Sequence, residues 1–154
     1  MNLVDELHGI AAALTSAGVT YAICGGVAVT IHGATRSTKD IDVLVTPEDL
    51  SRALDAVRPL GYAFAALPMA FDEGTDRERH VQRVSKVSQG EHLVLDLLLA
   101  RSSLAGLLDD RIDVSLPEGS LSVVSRATLL RMKRMAARPQ DLADLERLER
   151  PDEP

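Results

Sequence analysis

The feature that most constrains this chain is an aspartate pair, Asp40 and Asp42, that alternates with Ile41 and Val43 in a strand predicted over residues 40 to 45. Successive side chains of a strand point to opposite faces, so the two carboxylates share one face while the apolar residues point into the core. Two like charges this close raise each other's pKa and resist ionising together. A divalent cation relieves that conflict, and Mg²⁺ is typically held by one or two carboxylates plus substrate phosphates. The alternative is a solvated strand end that carries two surface acids.

A glycine pair precedes this strand by 15 residues. Residues 19 to 24 form a short apolar run that is typical of a buried strand, and Gly25 and Gly26 follow it directly. A helix is predicted next, over residues 25 to 33. Glycine lets the backbone approach a ligand closely, and the free N–H groups at a helix start attract phosphate. The sequence therefore predicts a phosphate site just before the candidate metal site.

The stretch from residue 25 to residue 45 resembles the nucleotidyltransferase superfamily, whose members share the DNA-polymerase-β-like fold. The shared pattern is a glycine pair, a short helix and an Asp-apolar-Asp strand, in that order. Six further residues are similar to the small branch that includes AbiEii-type toxins and minimal stand-alone nucleotidyltransferases: Ala28, His32, Gly33, Arg36, Thr38 and Lys39. The resemblance implies an α/β (α+β) fold in which helices flank a mixed sheet of about four to six strands.

The activity that this resemblance implies is transfer of a nucleoside monophosphate from an NTP to an acceptor hydroxyl, with release of pyrophosphate. Mg²⁺ or Mn²⁺ would be held by Asp40, Asp42 and a third carboxylate, which Asp96 matches. Asp96 is conspicuous in the apolar run LVLDLLLA, because an ionised side chain in a buried strand must be paired or bound to a metal. A salt bridge from Asp96 to an arginine such as Arg101 is the alternative.

The resemblance also implies which residues contact the nucleotide. Gly25 and Gly26 would present backbone groups to the triphosphate, and the basic loop after the helix would neutralise charge that develops during transfer. The loop residues concerned are Arg36, Ser37, Thr38 and Lys39. Many relatives carry a serine after the first glycine, so Gly26 leaves the hydroxyl contact to the loop.

The C-terminal part predicts two helices, one capped by Ser125 and ending near residue 138, the other from Pro139 to near residue 150. The string LLRMKRMAARPQDLADLERL is similar to the tail of the AbiEii-type branch, in which a lysine precedes an Asp-x-x-Asp. Lys133 matches that lysine, and Asp141 and Asp144 match the acids. We expect salt bridges here that hold the tail to the core; a contact of Lys133 with a nucleotide phosphate is the alternative.

Apolar spacing and turn residues predict the other elements. Helices are predicted over residues 3 to 17 and 48 to 58, with a shorter one over residues 102 to 108. Residues 68 to 79 are predicted to form a loop over the site, and Gln89-Gly90 a turn. His32 is predicted to cap its helix rather than to act in catalysis. Further strands are predicted at residues 62 to 67, 81 to 87 and 92 to 99, and at 111 to 114 or 121 to 124.

Composition favours one domain over residues 1 to 150, with a core of residues 19 to 124, C-terminal helices and a tail of residues 151 to 154. The 154 residues are 45% hydrophobic but only 3% aromatic, so the core must be aliphatic. The net charge of −6 and the scarcity of aromatics argue against a general nucleic-acid-binding surface. The single cysteine, Cys24, and the lack of a long apolar run predict a cytoplasmic protein without a membrane span.

Three functions remain open at this point. The first is nucleotidyl transfer to tRNA or a protein, as by the toxin of a toxin–antitoxin pair. The second is the same transfer to a small hydroxylated compound such as an aminoglycoside or a lincosamide. The third is a nucleotide-binding or regulatory module that has the fold without turnover, against which the three aspartates argue. The chain lacks the large second domain of longer relatives, so we expect the C-terminal helices, a homodimer mate or an antitoxin partner to complete the acceptor site.

Overall fold

The structure is a computed structural model that describes residues 2–34 and 38–150. These residues form five α-helices and eight β-strands. The helices are α1 (Leu3–Ser16), α2 (Gly25–Ile31), α3 (Leu50–Val57), α4 (Arg126–Ala136) and α5 (Pro139–Glu149). The strands are β1 (Tyr21–Cys24), β2 (Ile41–Val45), β3 (Phe64–Ala65), β4 (Met69–Phe71), β5 (Arg79–Ser88), β6 (Glu91–Leu99), β7 (Ile112–Leu116) and β8 (Gly119–Val123).

One mixed sheet contains all eight of these strands. Its order is β3-β5-β6-β2-β1-β8-β7, and β4 pairs with β5 as well. The pairs β2/β6 and β1/β8 are parallel, whereas the other neighbours are antiparallel. The predicted class, an α+β fold with a mixed sheet, is confirmed.

The sheet is larger than the four to six strands that we expected, for two reasons. The two C-terminal segments that the sequence offered as alternatives both form strands and pair as a hairpin, β7 with β8. The prediction of an irregular loop over residues 68 to 79 was wrong in part, because this segment contains β4. Strand β4 finds hydrogen-bonding partners on β5, which extends beyond the predicted residues 81 to 87. Residues 102 to 108 contain only one short 3₁₀ turn, Ser102–Leu104, instead of the predicted helix.

An aliphatic core lies beneath the sheet, as the composition predicts. Leu7, Ile10 and Leu14 are buried on one face of α1, which contacts α3 and β8. Polar contacts add to this packing: the Tyr62 hydroxyl donates a hydrogen bond to Glu6 at 2.8 Å, and the Lys86 ammonium approaches the same carboxylate at 2.7 Å. These contacts attach α1 to the face of β5 that lies away from the candidate site.

Helix α2 fills the connection between β1 and β2 and ends as predicted. His32 is its C-cap residue, and the Nε2 atom of the ring lies 2.9 Å from the carbonyl oxygen of Val124, just beyond β8. A donated N–H at this position joins the end of α2 to the sheet. This contact fits the structural role that was predicted for His32.

Helices α4 and α5 pack against each other at the C-terminal end of the chain. Ser125 accepts a hydrogen bond from the backbone N–H of Thr128 at 3.0 Å, which confirms the predicted cap of α4. Within the described part of the chain, no helix combines the length and the apolar character that a membrane crossing requires.

Candidate active site

Asp42 lies near the start of β2, beside the glycine turn that follows β1, and on the face of the strand opposite to Ile41 and Val43. Its neighbours Ile41 and Val43 are buried, 2% and 1% exposed, as the alternation predicts. Cys24, the last residue of β1, lies directly opposite Asp42 in the antiparallel register, so Gly25 begins α2 beside the Asp42 carboxylate. Gly25 has φ +64°, and a methyl group added there would lie only 2.7 Å from Cγ of Asp42. The contact and the backbone conformation both require glycine at this position.

Three charged side chains form a row across this face of the sheet. Asp96 of β6 is the register partner of Asp42 on one side and of Arg83, on β5, on the other. Neighbouring strands lie about 5 Å apart, so the row places two carboxylates and one guanidinium side by side. Arg83 donates two hydrogen bonds to Asp96, from Nε to Oδ1 at 2.8 Å and from Nη2 to Oδ2 at 2.9 Å. This is the bidentate geometry of a strong arginine–carboxylate pair.

The environment of Asp42 disfavours its ionised form. Burial, together with the nearby charges of Asp96 and Asp40, raises the pKa of Asp42 to about 6. Lys133 and Arg138 act in the opposite direction but do not compensate. A cation that binds beside Asp42 would therefore stabilise the ionised form of this carboxylate.

These residues line a cleft of about 450 Å³ between the sheet and helix α4. One half is polar and holds the glycine turn and the charged row. The other half is mainly apolar, because β4, the beginning of β5, the end of β6 and α4 turn aliphatic and aromatic side chains toward it. Arg79 also lies there, 5.6 Å from the centre of the Phe71 ring. The apolar lining consists of Met69, Phe71, Val81, Leu98, Leu104, Leu129, Met132 and Ala136.

Lys133 lies at the α4 wall of the cleft in a buried ionic network. Its ammonium is 3.1 Å from the Asp141 carboxylate and 3.0 Å from that of Asp144, and all three side chains are at most 6% exposed. Burial raises the pKa of Asp141, but hydrogen bonds from Arg138 and Lys133 outweigh it and hold that pKa below the ordinary value. The predicted salt bridges between α4 and α5 are therefore present, and both acids compete with any phosphate for Lys133.

The cleft brings together most of the predicted site residues. Seven of them line it: Gly25, Gly26, Thr38, Asp40, Asp42, Asp96 and Lys133. Lys39 is exposed and does not contribute to this lining. Arg36 and Ser37 lie outside the described residues. The segment that was predicted to form a loop over the site contains β4, whose Met69 and Phe71 side chains line the cleft.

The proposed alternative partner of Asp96 was the wrong arginine. Asp96 pairs with Arg83 rather than Arg101, because Arg83 stands directly across the β5–β6 hairpin. The sequence contained the signal for this pairing. A two-residue turn at Gln89-Gly90 places Ser88 opposite Glu91, and five residues further along each strand the same register places Arg83 opposite Asp96. Arg79 and Arg138 are two further cleft residues that sequence reasoning missed.

The carboxylates fit a hard divalent cation by their chemistry. Asp42 and Asp96 are oxygen donors on neighbouring strands, and the mutual repulsion that raises the pKa of Asp42 is what a bound cation would relieve. In the described residues, however, no three histidine, cysteine, aspartate or glutamate side chains are grouped closely enough to hold a metal. The two hydrogen bonds from Arg83 direct the Asp96 carboxylate toward β5 and so away from Asp42.

The architecture is similar to that of several solved nucleotidyltransferases. The lincosamide antibiotic adenylyltransferase LnuA, solved with lincomycin bound, is 15% identical with a TM-score of 0.61, over 96% of this chain and 97% of that one. A Thermotoga maritima protein classed as a nucleotidyltransferase is 14% identical with a TM-score of 0.63, over 94% and 90%. The antibiotic-resistance factor ANT(2'')-Ia is 15% identical with a TM-score of 0.62, over 94% and 81%.

At these identities the similarity shows the fold alone: this chain has the fold of these solved nucleotidyltransferases. No protein-family model and no curated protein sequence matches the chain. The resemblance to the AbiEii-type branch in particular therefore stays a prediction.

Proposed function

We propose that this protein transfers a nucleoside monophosphate from an NTP to the hydroxyl group of an acceptor, with release of pyrophosphate. The observation that carries the proposal is the convergence of Gly25, Asp42 and Asp96 at one end of a single cleft in a nucleotidyltransferase fold. These residues come from three different elements, α2, β2 and β6. In a chance group of surface acids we would not expect a glycine in close contact with one carboxylate, as Gly25 is with Asp42. Nor would we expect a strand register that places a second carboxylate, Asp96, directly beside it.

Each residue has a role in this proposal. Gly25 and Gly26 would present backbone groups to the triphosphate, and Thr38 and Arg83 would contact it from the walls of the cleft. Arg36, Ser37 and Lys39 keep the expected role of neutralising phosphate charge. Such transfer depends mostly on positioning and electrostatics, so these donors need only be held in place.

We also propose that Asp40, Asp42 and Asp96 hold Mg²⁺ or Mn²⁺. When bound, the metal would stabilise the attacking and leaving oxygens of the displacement. Asp96, the middle residue of the row, would accept a hydrogen bond from the acceptor hydroxyl and orient it. The raised pKa of Asp42 supports this assignment, because the binding of a cation returns that carboxyl to its ionised form.

For the acceptor, we favour a small hydroxylated molecule with an apolar body. The mainly apolar half of the cleft adjoins Asp96 and offers aliphatic and aromatic contact surface, with the Arg79 guanidinium over the Phe71 ring. Two proteins of similar fold were solved with small hydroxylated ligands, lincomycin in LnuA and adenylyl-2''-tobramycin in ANT(2'')-Ia. The alternative acceptors are tRNA or a protein, as for a toxin with an antitoxin partner. A polynucleotide needs cations that are available to its phosphates, whereas three of the four cleft cations, Arg79, Lys133 and Arg138, are held by Asp72 or Asp141.

The decisive experiment is label transfer from each of the four α-³²P-labelled NTPs with Mg²⁺ or Mn²⁺. The acceptors are a panel of aminoglycosides and lincosamides, total RNA and a cell-protein extract, and Asp42→Asn is assayed beside the wild type. Label that enters one acceptor pool with the wild type alone would support the reaction and identify the acceptor class. Metal-dependent NTP binding without label transfer would favour a nucleotide-binding module instead, and absence of both would refute the proposed transfer.

A further inference from the structure

Arg83 occupies a position that the proposed reaction leaves unexplained. It holds both carboxylate oxygens of Asp96, the residue proposed as the third metal ligand. A bidentate arginine neutralises the charge of a carboxylate and fixes its orientation. In this arrangement Asp96 faces β5 instead of joining Asp42, which stands directly opposite it on β2.

The other cations of the cleft are engaged differently. Lys133 and Arg138 pair with the buried Asp141, and Arg79 pairs with Asp72 on the loop before β5. Of the four cations that line the described cleft, Arg83 is the one whose partner is a proposed metal ligand. A change of partner at Arg83 would therefore alter the metal site directly.

Arg83 is also free to change partner. Its side chain is 43% exposed, whereas the Asp96 side chain is 12% exposed and is fixed within a central strand. The guanidinium lines the same cleft as the glycine turn, so a triphosphate in that cleft offers it a second anionic, bidentate partner. Exchange of Asp96 for phosphate leaves Arg83 paired and frees the carboxylate for the cation that accompanies the nucleotide.

We propose that Arg83 is a positioning residue that withholds Asp96 from the metal site until nucleotide phosphates replace Asp96 as its partner. This inference rests on the proposed function, and it adds a regulation to the same site. It predicts that metal and nucleotide each increase the affinity for the other. Nucleotide phosphates bind Arg83 and release Asp96 for the metal, and the metal binds Asp96 and releases Arg83 for the phosphates. Without nucleotide, the protein has an incomplete carboxylate set and weak affinity for divalent metal.

The test measures Mn²⁺ binding by the loss of the free Mn²⁺ EPR signal, which needs no turnover. The proteins are the wild type, Arg83→Gln, Arg83→Lys, Asp96→Asn and the double variant Arg83→Gln/Asp96→Asn. Each is titrated with MnCl₂ alone and with the α,β-methylene analogues of the four NTPs. We expect Arg83→Gln to bind Mn²⁺ about tenfold more tightly than the wild type without nucleotide, and to gain less from the analogue.

The Asp96→Asn background separates this mechanism from the simple loss of a positive charge. If Arg83 acts through Asp96, the gain from Arg83→Gln disappears in the double variant, whereas a general field effect would persist there and overturn the inference. Arg83→Lys covers the case in which Arg83→Gln does not fold. A lysine cannot bridge both oxygens of Asp96, so Mn²⁺ affinity should rise about threefold, and an unchanged affinity would overturn the inference.

The outcomes also distinguish this inference from the proposed function. Nucleotide-dependent Mn²⁺ binding by the wild type, with no effect of either Arg83 substitution, would refute the withholding role and leave the metal site intact. Failure of every protein to bind Mn²⁺, with or without the analogues, would refute both. The inference is supported if Arg83→Gln binds Mn²⁺ more tightly than the wild type without nucleotide and if the NTP analogues no longer increase that affinity.

Discussion

Gly25 packs against the carboxylate of Asp42 so closely that no side chain fits between them. A Cβ atom at Gly25 would lie 2.7 Å from Cγ and 2.8 Å from Cβ of Asp42, and the backbone there has φ +64°. Gly25, the first residue of α2, therefore sets the position of the Asp42 carboxylate. The glycine that was expected to contact phosphate also shapes the candidate metal site.

We predict that Gly25→Ala displaces Asp42 and abolishes Mn²⁺ binding. Gly18→Ala is the matched control, since Gly18 has a similar φ of +73° with no other atoms within 4 Å of the added methyl. Both substitutions should cost about 1 kcal/mol of backbone strain in urea unfolding. Only the change at Gly25 should also lose the metal. Equal Mn²⁺ affinities for the two variants would show that the contact with Asp42 is unimportant.

Asp42→Asn should abolish transfer and yet stabilise the metal-free protein. The folded-state pKa of Asp42, about 6, exceeds its ordinary value of 3.8, so the folded protein binds this proton more tightly than the unfolded chain. The free energy of unfolding consequently falls as the pH rises from about 4 to about 6, by about 3 kcal/mol in all. Asparagine lacks this titration. At pH 7 in EDTA, the variant should be the more stable protein by up to that amount.

The measurement is urea unfolding of both proteins from pH 4 to pH 8. The difference between them should be small at pH 4, where Asp42 is protonated, and largest above pH 6. A difference that stays constant across this range would mean that Asp42 is not the titrating group. Retention of transfer by Asp42→Asn would refute the metal assignment.

Asp96→Asn should reduce transfer at least about a hundredfold and leave the fold intact. The amide oxygen still accepts one hydrogen bond from Arg83, and Arg83 is nearly half exposed, so we expect a stability loss below about 1 kcal/mol. Steady-state rates and urea unfolding together test this. A variant that unfolds while its residual folded fraction binds Mn²⁺ normally would instead assign Asp96 a purely structural role.

Lys133→Met should destabilise the protein by about 3 kcal/mol, because it removes the ammonium from between two buried carboxylates. Arg134→Met is the control on the same helix. Arg134 also bridges α4 to α5, through Glu149 at 2.9 Å, but both side chains are more than half exposed. Its loss should cost at most about 0.5 kcal/mol. Similar unfolding midpoints for the two variants would contradict the importance of burial here.

Much of this molecule follows from local sequence patterns. The apolar spacing of α1, the cap of α4, and the alternation around Asp42 are properties of short segments, and each element forms near its predicted position. One strand escaped this reasoning. Strand β4 has only three residues, too few for an alternating pattern, and the polar residues 72 to 78 between it and its partner β5 favoured a loop.

The sequence by itself determined the glycine turn, the Asp-apolar-Asp strand and the pairing potential of the C-terminal lysine and acids, because each depends on neighbours along the chain. Tertiary structure alone decided that Asp96 stands beside Asp42, since that position follows from the parallel pairing of β2 with β6. It also decided that β4 and α4 face each other across an apolar half-cleft. Strand order and helix docking are set by the burial of the whole core, and no short segment contains that information.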